Sequence, residues 1–245
     1  MTKLGLDFPT KWARGYAARM ARNLYQTFFL MPLTRYLSTL EVRGVENITG
    51  HGPFIFVANH TSNLDTPLVL SALPNTARKR TVVAAAMDSF FMEARKAFRT
   101  VLVFNAIPID RHRVNRRSAL QALELVEDHW NVLLYPEGGR SPDGNLHEFK
   151  GGAAYLAERS KAMVVPTYIH EAGFLRGPKY AKAPIHTRGR SQRRHHVTVT
   201  FGAPLRAEES ENIRRFGSRI EGAVAELGRR VSGDPQYGQR PSDEY

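Results

Sequence analysis

The sequence predicts an α/β fold: a largely parallel central sheet flanked by helices, with an N-terminal amphipathic helical segment. Two observations carry this reading. Short apolar runs bounded by turn residues, such as Phe54 to Ala58 and Thr81 to Ala86, read as strands buried on both faces. Segments with apolar residues at helical spacing alternate with them, as crossovers between parallel strands require. The chain has 245 residues, 42% of them hydrophobic, enough to cover such a sheet.

The elements follow in order. Lys11 to Leu37 reads as helical, with Pro32 expected to break or kink it. At 100° per residue, Trp12, Ala13, Tyr16, Ala17, Met20, Ala21, Leu24 and Phe28 share one half of the wheel, and Lys11, Arg14, Arg19 and Arg22 the other. Such a helix packs its apolar face on a domain core, or lies in a membrane interface. The interface reading enlists Trp12, Tyr16, Met20, Leu24, Phe28 and Phe29. Short strands are expected at Leu40 to Arg43, Phe54 to Ala58, Thr81 to Ala86, Val132 to Tyr135, Met163 to Ile169 and Val197 to Phe201. Helices are expected at Thr66 to Leu73, with Asp65 as its N-cap, and at Ser89 to Phe98. Further helices are expected at Asn115 to His129, Ala153 to Ser160 and Ser210 to Val231, with short extended pieces between Val101 and Ile109. Lys179 to Arg194 reads as a basic surface loop. The predicted division is a helical segment at 1–38, an α/β domain at 39–232 and a flexible tail at 233–245.

Bulk chemistry narrows the function. Cysteine is absent, which excludes thiol catalysis and Cys-based metal sites. The formal net charge of +12 favours anionic partners: acidic membrane, phosphorylated substrates, acidic carrier proteins or nucleic acid. No RNP-type aromatic pattern or zinc-finger spacing supports nucleic acid, so none is expected as a partner. The longest dense apolar run near the N-terminus, Phe28 to Met31, falls far short of the ~18 apolar residues of a membrane span. No transmembrane helix and no signal-peptide h-region are therefore expected.

The stretch FIFVANHTSNLDTPLVL, Phe54 to Leu70, ends a strand at Asn59-His60 and starts a helix near Asp65. A histidine whose Nδ1 proton is held by a carboxylate is a general base poised near neutral pH. A turn between the two residues would bring them together. The pair also reads as a loop histidine before a capping aspartate. Ser62 between them raises covalent serine catalysis, against which stands the lack of a G-x-S-x-G elbow. No His-Glu-x-x-His zinc pattern is present, and no metal is expected.

Three further segments bear on an anion site. AIPIDRHR places Arg111 after an apolar stretch. YPEGGRSPDG places Glu137, Gly138, Arg140 and Ser141 after a strand. FKGGAAYLA places Lys150 at a helix start. Arginine forks and glycine-exposed backbone N–H groups suit phosphate.

Together these blocks resemble the glycerolipid acyltransferase family, best known through the 1-acyl-glycerol-3-phosphate acyltransferases. NHTSNLD resembles its H-x4-D block, NAIPIDR its Gly-x-Ile-x-Ile-x-Arg block, YPEGGRS its Phe-Pro-Glu-Gly-Thr-Arg-Ser block, and VVPTYI its apolar block around a proline. The resemblance implies His60 as general base and Asp65 as its orienter. It implies Arg111 on the acceptor's phosphate, with Arg140 and Lys150 helping. Glu137, Gly138 and Ser141 would belong to the acceptor pocket, and Pro166 to its apolar side. The reaction implied moves an acyl chain from acyl-CoA or an acyl-acyl carrier protein to a lysophospholipid hydroxyl, with no bound cofactor and no acyl-enzyme. Lysophosphatidic acid is the expected acceptor, and glycerol 3-phosphate or another lyso- or glycolipid the alternative. An anionic membrane surface is the expected partner, at the cytoplasmic face of the cell membrane; an acidic acyl carrier protein is a further one. Asn105, Gly139 and Thr61 depart from the blocks, which bears on acceptor identity. A non-catalytic basic protein binding anionic lipid or nucleic acid is the reading from another class.

Overall fold

The computed structural model describes residues 4–50, 52–112, 116–170 and 195–238. Seven strands form one sheet: β1 (Ser38–Arg43), β2 (Phe54–Ala58), β3 (Thr81–Ala86), β4 (Ala106–Ile109), β5 (Asn131–Leu134), β6 (Met163–His170) and β7 (His195–Phe201). Their spatial order is β1-β7-β6-β2-β5-β3-β4. Every pairing is parallel except β6 with β7. The α/β class and largely parallel sheet are thus as expected.

Nine α-helices complete the described residues: α1 (Tyr16–Tyr25), α2 (Met31–Leu37), α3 (Asp65–Ala72), α4 (Asn75–Lys79), α5 (Met87–Phe90), α6 (Ala94–Phe104), α7 (Arg116–Glu127), α8 (Gly152–Ser160) and α9 (Ile213–Ser232). Strand alternation sorts the core. Ile55, Val57, Val82, Val132 and Val164 face α7, α8 and α9, meeting Leu125, Leu156, Phe216 and Ile220. Phe54, Phe56, Val83, Leu133 and Val165 face the other way, onto Leu68 and Leu70 of α3. All five residues of β2 are buried, which is why their sequence shows no polar alternation.

Several expectations need correcting. Pro32 does not break the N-terminal segment, which stays helical from Tyr16 to Leu37. A π-helical turn, Gln26–Leu30, joins α1 to α2, and Pro32 falls in the first turn of α2, where a missing N–H costs least. Lys11–Arg14 is a separate 3-10 turn ended at Gly15. The helix expected at Ser89 to Phe98 is divided into α5 and α6. The latter continues to Phe104 because Ala97 and Val101, at helical spacing, pack on Phe8, Ala13 and Phe91. The helix α4 had no counterpart in the sequence reading. From Gly233, the expected tail folds back as far as Gly238, burying Tyr237 edge-on against Tyr168. Residues 239–245 and the basic stretch Lys179 to Arg194 lie outside the described residues.

Candidate functional site

In a parallel sheet, loops leaving the carboxyl ends of neighbouring strands share one rim. Here β2 leads to His60, β5 to Glu137, β3 to Asp88 and β4 to Arg111. The register pairs Val57 with Leu134 and Ala86 with Ile109, so these loops start level.

Asp65 is fully buried, and its Oδ2 lies 2.7 Å from His60 Nδ1. The same oxygen accepts the backbone N–H groups of Thr61 at 2.7 Å and Ser62 at 2.8 Å. Asp65 is therefore not the N-cap expected of it. It is the first residue of α3, Leu64 stands in the capping position, and no side chain caps that end. The carboxylate turns back over the preceding loop instead, fixing that loop and the imidazole together. With Nδ1–H donated to Asp65, Nε2 is left as the basic atom. The ring stacks on Tyr135, centroids 4.3 Å apart. Tyr135 hydroxyl meets Thr66 Oγ1 at 3.0 Å, and burial beside Asp65 pushes its pKa up, so it stays neutral. Ser62 is buried and its Oγ accepts the Leu64 N–H, a loop role rather than a nucleophile's.

Glu137 spans two loops. Its Oε1 accepts the His60 N–H at 2.6 Å and its Oε2 the His147 N–H at 3.1 Å. Burial pushes the carboxyl pKa up to about 7, against the pull of those hydrogen bonds. Ser141 N–H donates to His60 O at 2.7 Å, while Ser141 Oγ donates to Asp143. Arg140 Nη1 donates to Asn63 Oδ1 at 3.0 Å. Thus Glu137, Arg140 and Ser141 are all tied to the Asn59–Asn63 loop or to their own loop.

Arg111 stands at the β3–β4 end of the same rim. Its Nε and Nη2 donate to Asp88 Oδ2 at 3.0 and 2.6 Å. Burial alone would raise the Asp88 pKa, but the Arg111 and His112 hydrogen bonds hold it below the usual range. Lys150 Nζ donates to the Arg111 carbonyl, and its backbone N–H to Pro136 O. Gly138 has φ +73°, and a Cβ there would lie 2.6 Å from Lys150 Nζ, so glycine serves both the turn and the lysine's approach. The rim thus gathers His60, Asp65, Arg111, Glu137, Gly138, Arg140, Ser141 and Lys150. Pro166 is apart from them: it is buried within β6 opposite Val57, its carbonyl accepting the Gly202 N–H.

Asn105 sits at the end of α6 with φ 53°, a conformation in which asparagine is the usual substitute for glycine. Its Nδ2 donates to Thr81 O at the start of β3, at the sheet end away from Arg111. That departure belongs to a turn, at the sheet end away from the His60 rim. Gly139 has open space where a Cβ would stand. Thr61 is buried within the His60 loop, its N–H held by Asp65 Oδ2.

The sequence reading missed Tyr135, Asp88 and Asn59. Asn59 clamps the β2 end to β6, exchanging hydrogen bonds with the Ile169 backbone at 3.1 and 2.8 Å. Only strand adjacency joins Asp88 to Arg111, and nothing local in the sequence carries that.

The N-terminal helix is inverted. Arg22, Gln26, Leu30 and Thr34 face inward and are buried, whereas Tyr16, Met20, Leu24, Phe28 and Phe29 are exposed. Arg22, on the basic half of the wheel, donates from Nη1 to Ala13 O at 3.0 Å, and Gln26 donates to Val103 O at 2.8 Å. Trp12 stacks on Phe98 with centroids 4.9 Å apart, and so lies apart from that outward face. Among the described residues no helix is long and apolar enough to cross a membrane.

Comparison with known proteins bears on the family and the fold. A family model described as Acyltransferase matches residues 39–170. The 1-acyl-sn-glycerol-3-phosphate acyltransferase alpha of Bos taurus is 26% identical over 202 residues, 81% of this chain and 66% of that protein. The human alpha enzyme is 30% identical over 130 residues, 52% of this chain and 44% of its own length. The chain therefore spans two thirds or less of these curated relatives. The crystal structure of the 1-acyl-sn-glycerophosphate (LPA) acyltransferase PlsC from Thermotoga maritima has the same fold, with a TM-score of 0.67 and 21% identity over 92% of this chain and 84% of that one.

Proposed function

Because the chain belongs to the acyltransferase family, we propose that it moves an acyl chain from a thioester to the free hydroxyl of 1-acyl-glycerol-3-phosphate, giving phosphatidic acid. The observation that carries this is the 2.7 Å contact between His60 and a fully buried Asp65 at the rim that also holds Arg111. Asp65 holds the Nδ1 proton and stabilises the imidazolium; Nε2 takes the acceptor's hydroxyl proton. The alkoxide oxygen forms a bond to the thioester carbonyl carbon. The tetrahedral intermediate collapses with cleavage of the carbon–sulfur bond, and the thiolate takes the proton from His60. No side chain is acylated.

Arg111, pre-oriented by Asp88, receives the acceptor's phosphate, and Lys150 lies next to it. Glu137 positions the His60 loop, a role its two backbone hydrogen bonds support better than contact with the acceptor. The donor is acyl-CoA or an acyl-acyl carrier protein. The protein works as a peripheral membrane enzyme, for which the outward apolar face of Tyr16 to Phe29 and the net charge of +12 are the support.

The test is to supply the full chain with a labelled acyl-CoA and a panel of lysophosphatidic acid, glycerol 3-phosphate and other lysolipids, reading products by mass spectrometry. Phosphatidic acid is expected as the main product, with His60→Ala lowering turnover by about 10²- to 10⁴-fold, the range of general-base catalysis. Undiminished turnover in His60→Ala would remove the base assignment.

A further inference from the structure

A second site lies at the opposite end of the sheet. The helix α4 leads into the first residue of β3, while His60 follows the last residue of β2, and the two strands run the same way through β5. Between α4 and the N-terminal helix is a cavity of about 490 Å³. That volume is within the range of small-molecule sites.

Its polar wall carries Arg78, Arg35, Asn75, Asn23 and Thr27. Arg78 is 7% exposed. Its Nη2 donates to Asn75 Oδ1 at 2.9 Å, and its Nη1 to the Met31 thioether at 2.8 Å, a weak acceptor for a cation. The buried Nε has no acceptor. Among the described residues no carboxylate pairs with Arg78 or Arg35. A buried guanidinium without a counter-ion costs free energy unless an anion completes it. Burial alone lowers the pKa of Arg78, with no nearby charge to offset it. Asn23 Oδ1 is likewise buried without a donor. The site therefore asks for an anion beside a hydroxyl.

The lining also has an apolar part. Leu24 and Phe28 line the cavity and also belong to the exposed face of the helix, at 49% and 66% exposure. A ligand held here would have its charged part against Arg78 and its apolar part running out over that face.

We propose that this cavity binds the phosphate headgroup of an anionic membrane glycerophospholipid, separately from catalysis. Phosphate oxygens accept from the Arg78 and Arg35 guanidinium groups, a headgroup hydroxyl donates to Asn23, and the acyl chains lie along Leu24 and Phe28. The site would hold the N-terminal helix in one orientation on an acidic bilayer. The inference rests on the membrane reading above only for the source of the lipid.

The probe is dihexanoyl phosphatidylglycerol, titrated as a soluble lipid into the full chain by calorimetry, with inorganic phosphate as the second arm. Wild type is expected to bind the lipid. Arg35→Glu, a substitution at an exposed side chain, and Arg78→Gln should each weaken it about tenfold or more, the loss expected of one charge-assisted contact. Thermal unfolding checks that Arg78→Gln still folds, and Arg35→Glu carries the test alone if it does not. Inorganic phosphate should bind at least about tenfold more weakly than the lipid, because it lacks the apolar part. Lipid binding unchanged in both variants, or phosphate binding as tight as lipid, overturns the proposal. Vesicle co-sedimentation separates the two readings. A wild type that ignores acidic vesicles but takes up the soluble lipid loses the membrane reading and keeps the site; one that binds vesicles but not the soluble lipid does the reverse.

Discussion

Asp65 Oδ2 collects three N–H groups at once, from His60, Thr61 and Ser62. Two of them are backbone groups that an asparagine side-chain oxygen could still accept. The third is the imidazole proton, whose partner, in the mechanism proposed above, also stabilises the positive charge on a protonated His60. The two jobs separate in Asp65→Asn. The fold should survive with a loss of about 1–2 kcal/mol, since a neutral acceptor replaces a charged one. Turnover should fall by about 10²- to 10⁴-fold, as expected when the orienting carboxylate of a general base is neutralised. Urea unfolding beside steady-state kinetics reads both. Equal stability with near-normal turnover would mean that His60 works without its buried partner. Spacing alone suggested the pair, but it misassigned Asp65 to a helix cap. What it could not show is that the carboxylate points back along the chain rather than into the helix.

At the scale of elements, the strands were the most legible parts. The bounds of β2 and β3 match the runs Phe54 to Ala58 and Thr81 to Ala86, because strands covered on both faces are almost wholly apolar between polar or turn-forming flanks. The helices were less so. Thr100, Val101 and Val103 have strand-like side chains, yet α6 runs through them because Ala97 and Val101 complete a buried face. The loops that build the site were legible as segments, but their mutual ties were not. Glu137, one strand over from His60, holds the His60 and His147 backbones together, and only the β2–β5 pairing makes that reachable. Its pKa of about 7 in the fold stands above an ordinary 4.5. The folded state therefore holds this proton more tightly than the unfolded chain. The stability this group contributes is full below pH 4.5 and is lost as pH rises through about 7. Glu137→Gln cannot ionise, so it escapes that loss. Thermal unfolding at pH 5 and pH 8 should show the variant gaining on wild type at the higher pH. A difference independent of pH would place the Glu137 carboxyl in an ordinary, solvated setting.

Over the whole molecule, one face departs from the usual arrangement of a protein in water. Tyr16 is 80% exposed and Phe29 66%, on a helix whose inward side carries Arg22 and Gln26. The wheel could not decide between core and interface, because an amphipathic pattern is the same whichever side faces out. Packing shows which side faces out: the polar residues find backbone acceptors inside, and the aromatic ones are left outside. Deleting residues 1–38 would confound the question, since Phe8, Ala13 and Leu30 are buried with the rest of the protein. Substituting the outward residues does not. Tyr16→Ser with Phe29→Ser removes two exposed aromatic side chains that touch neither the His60 rim nor the far cavity. If each contributes about 1.5 kcal/mol when a bilayer covers it, affinity for vesicles should fall by about 100-fold. The loss should appear on neutral and acidic vesicles alike, because area rather than charge is removed. Raising salt should weaken binding of the wild type to acidic vesicles only, through screening of the +12 charge. Unfolding temperature should stay level or rise, as the replaced groups were in water. Vesicle binding by the double variant equal to that of wild type would mean that another surface meets the lipid.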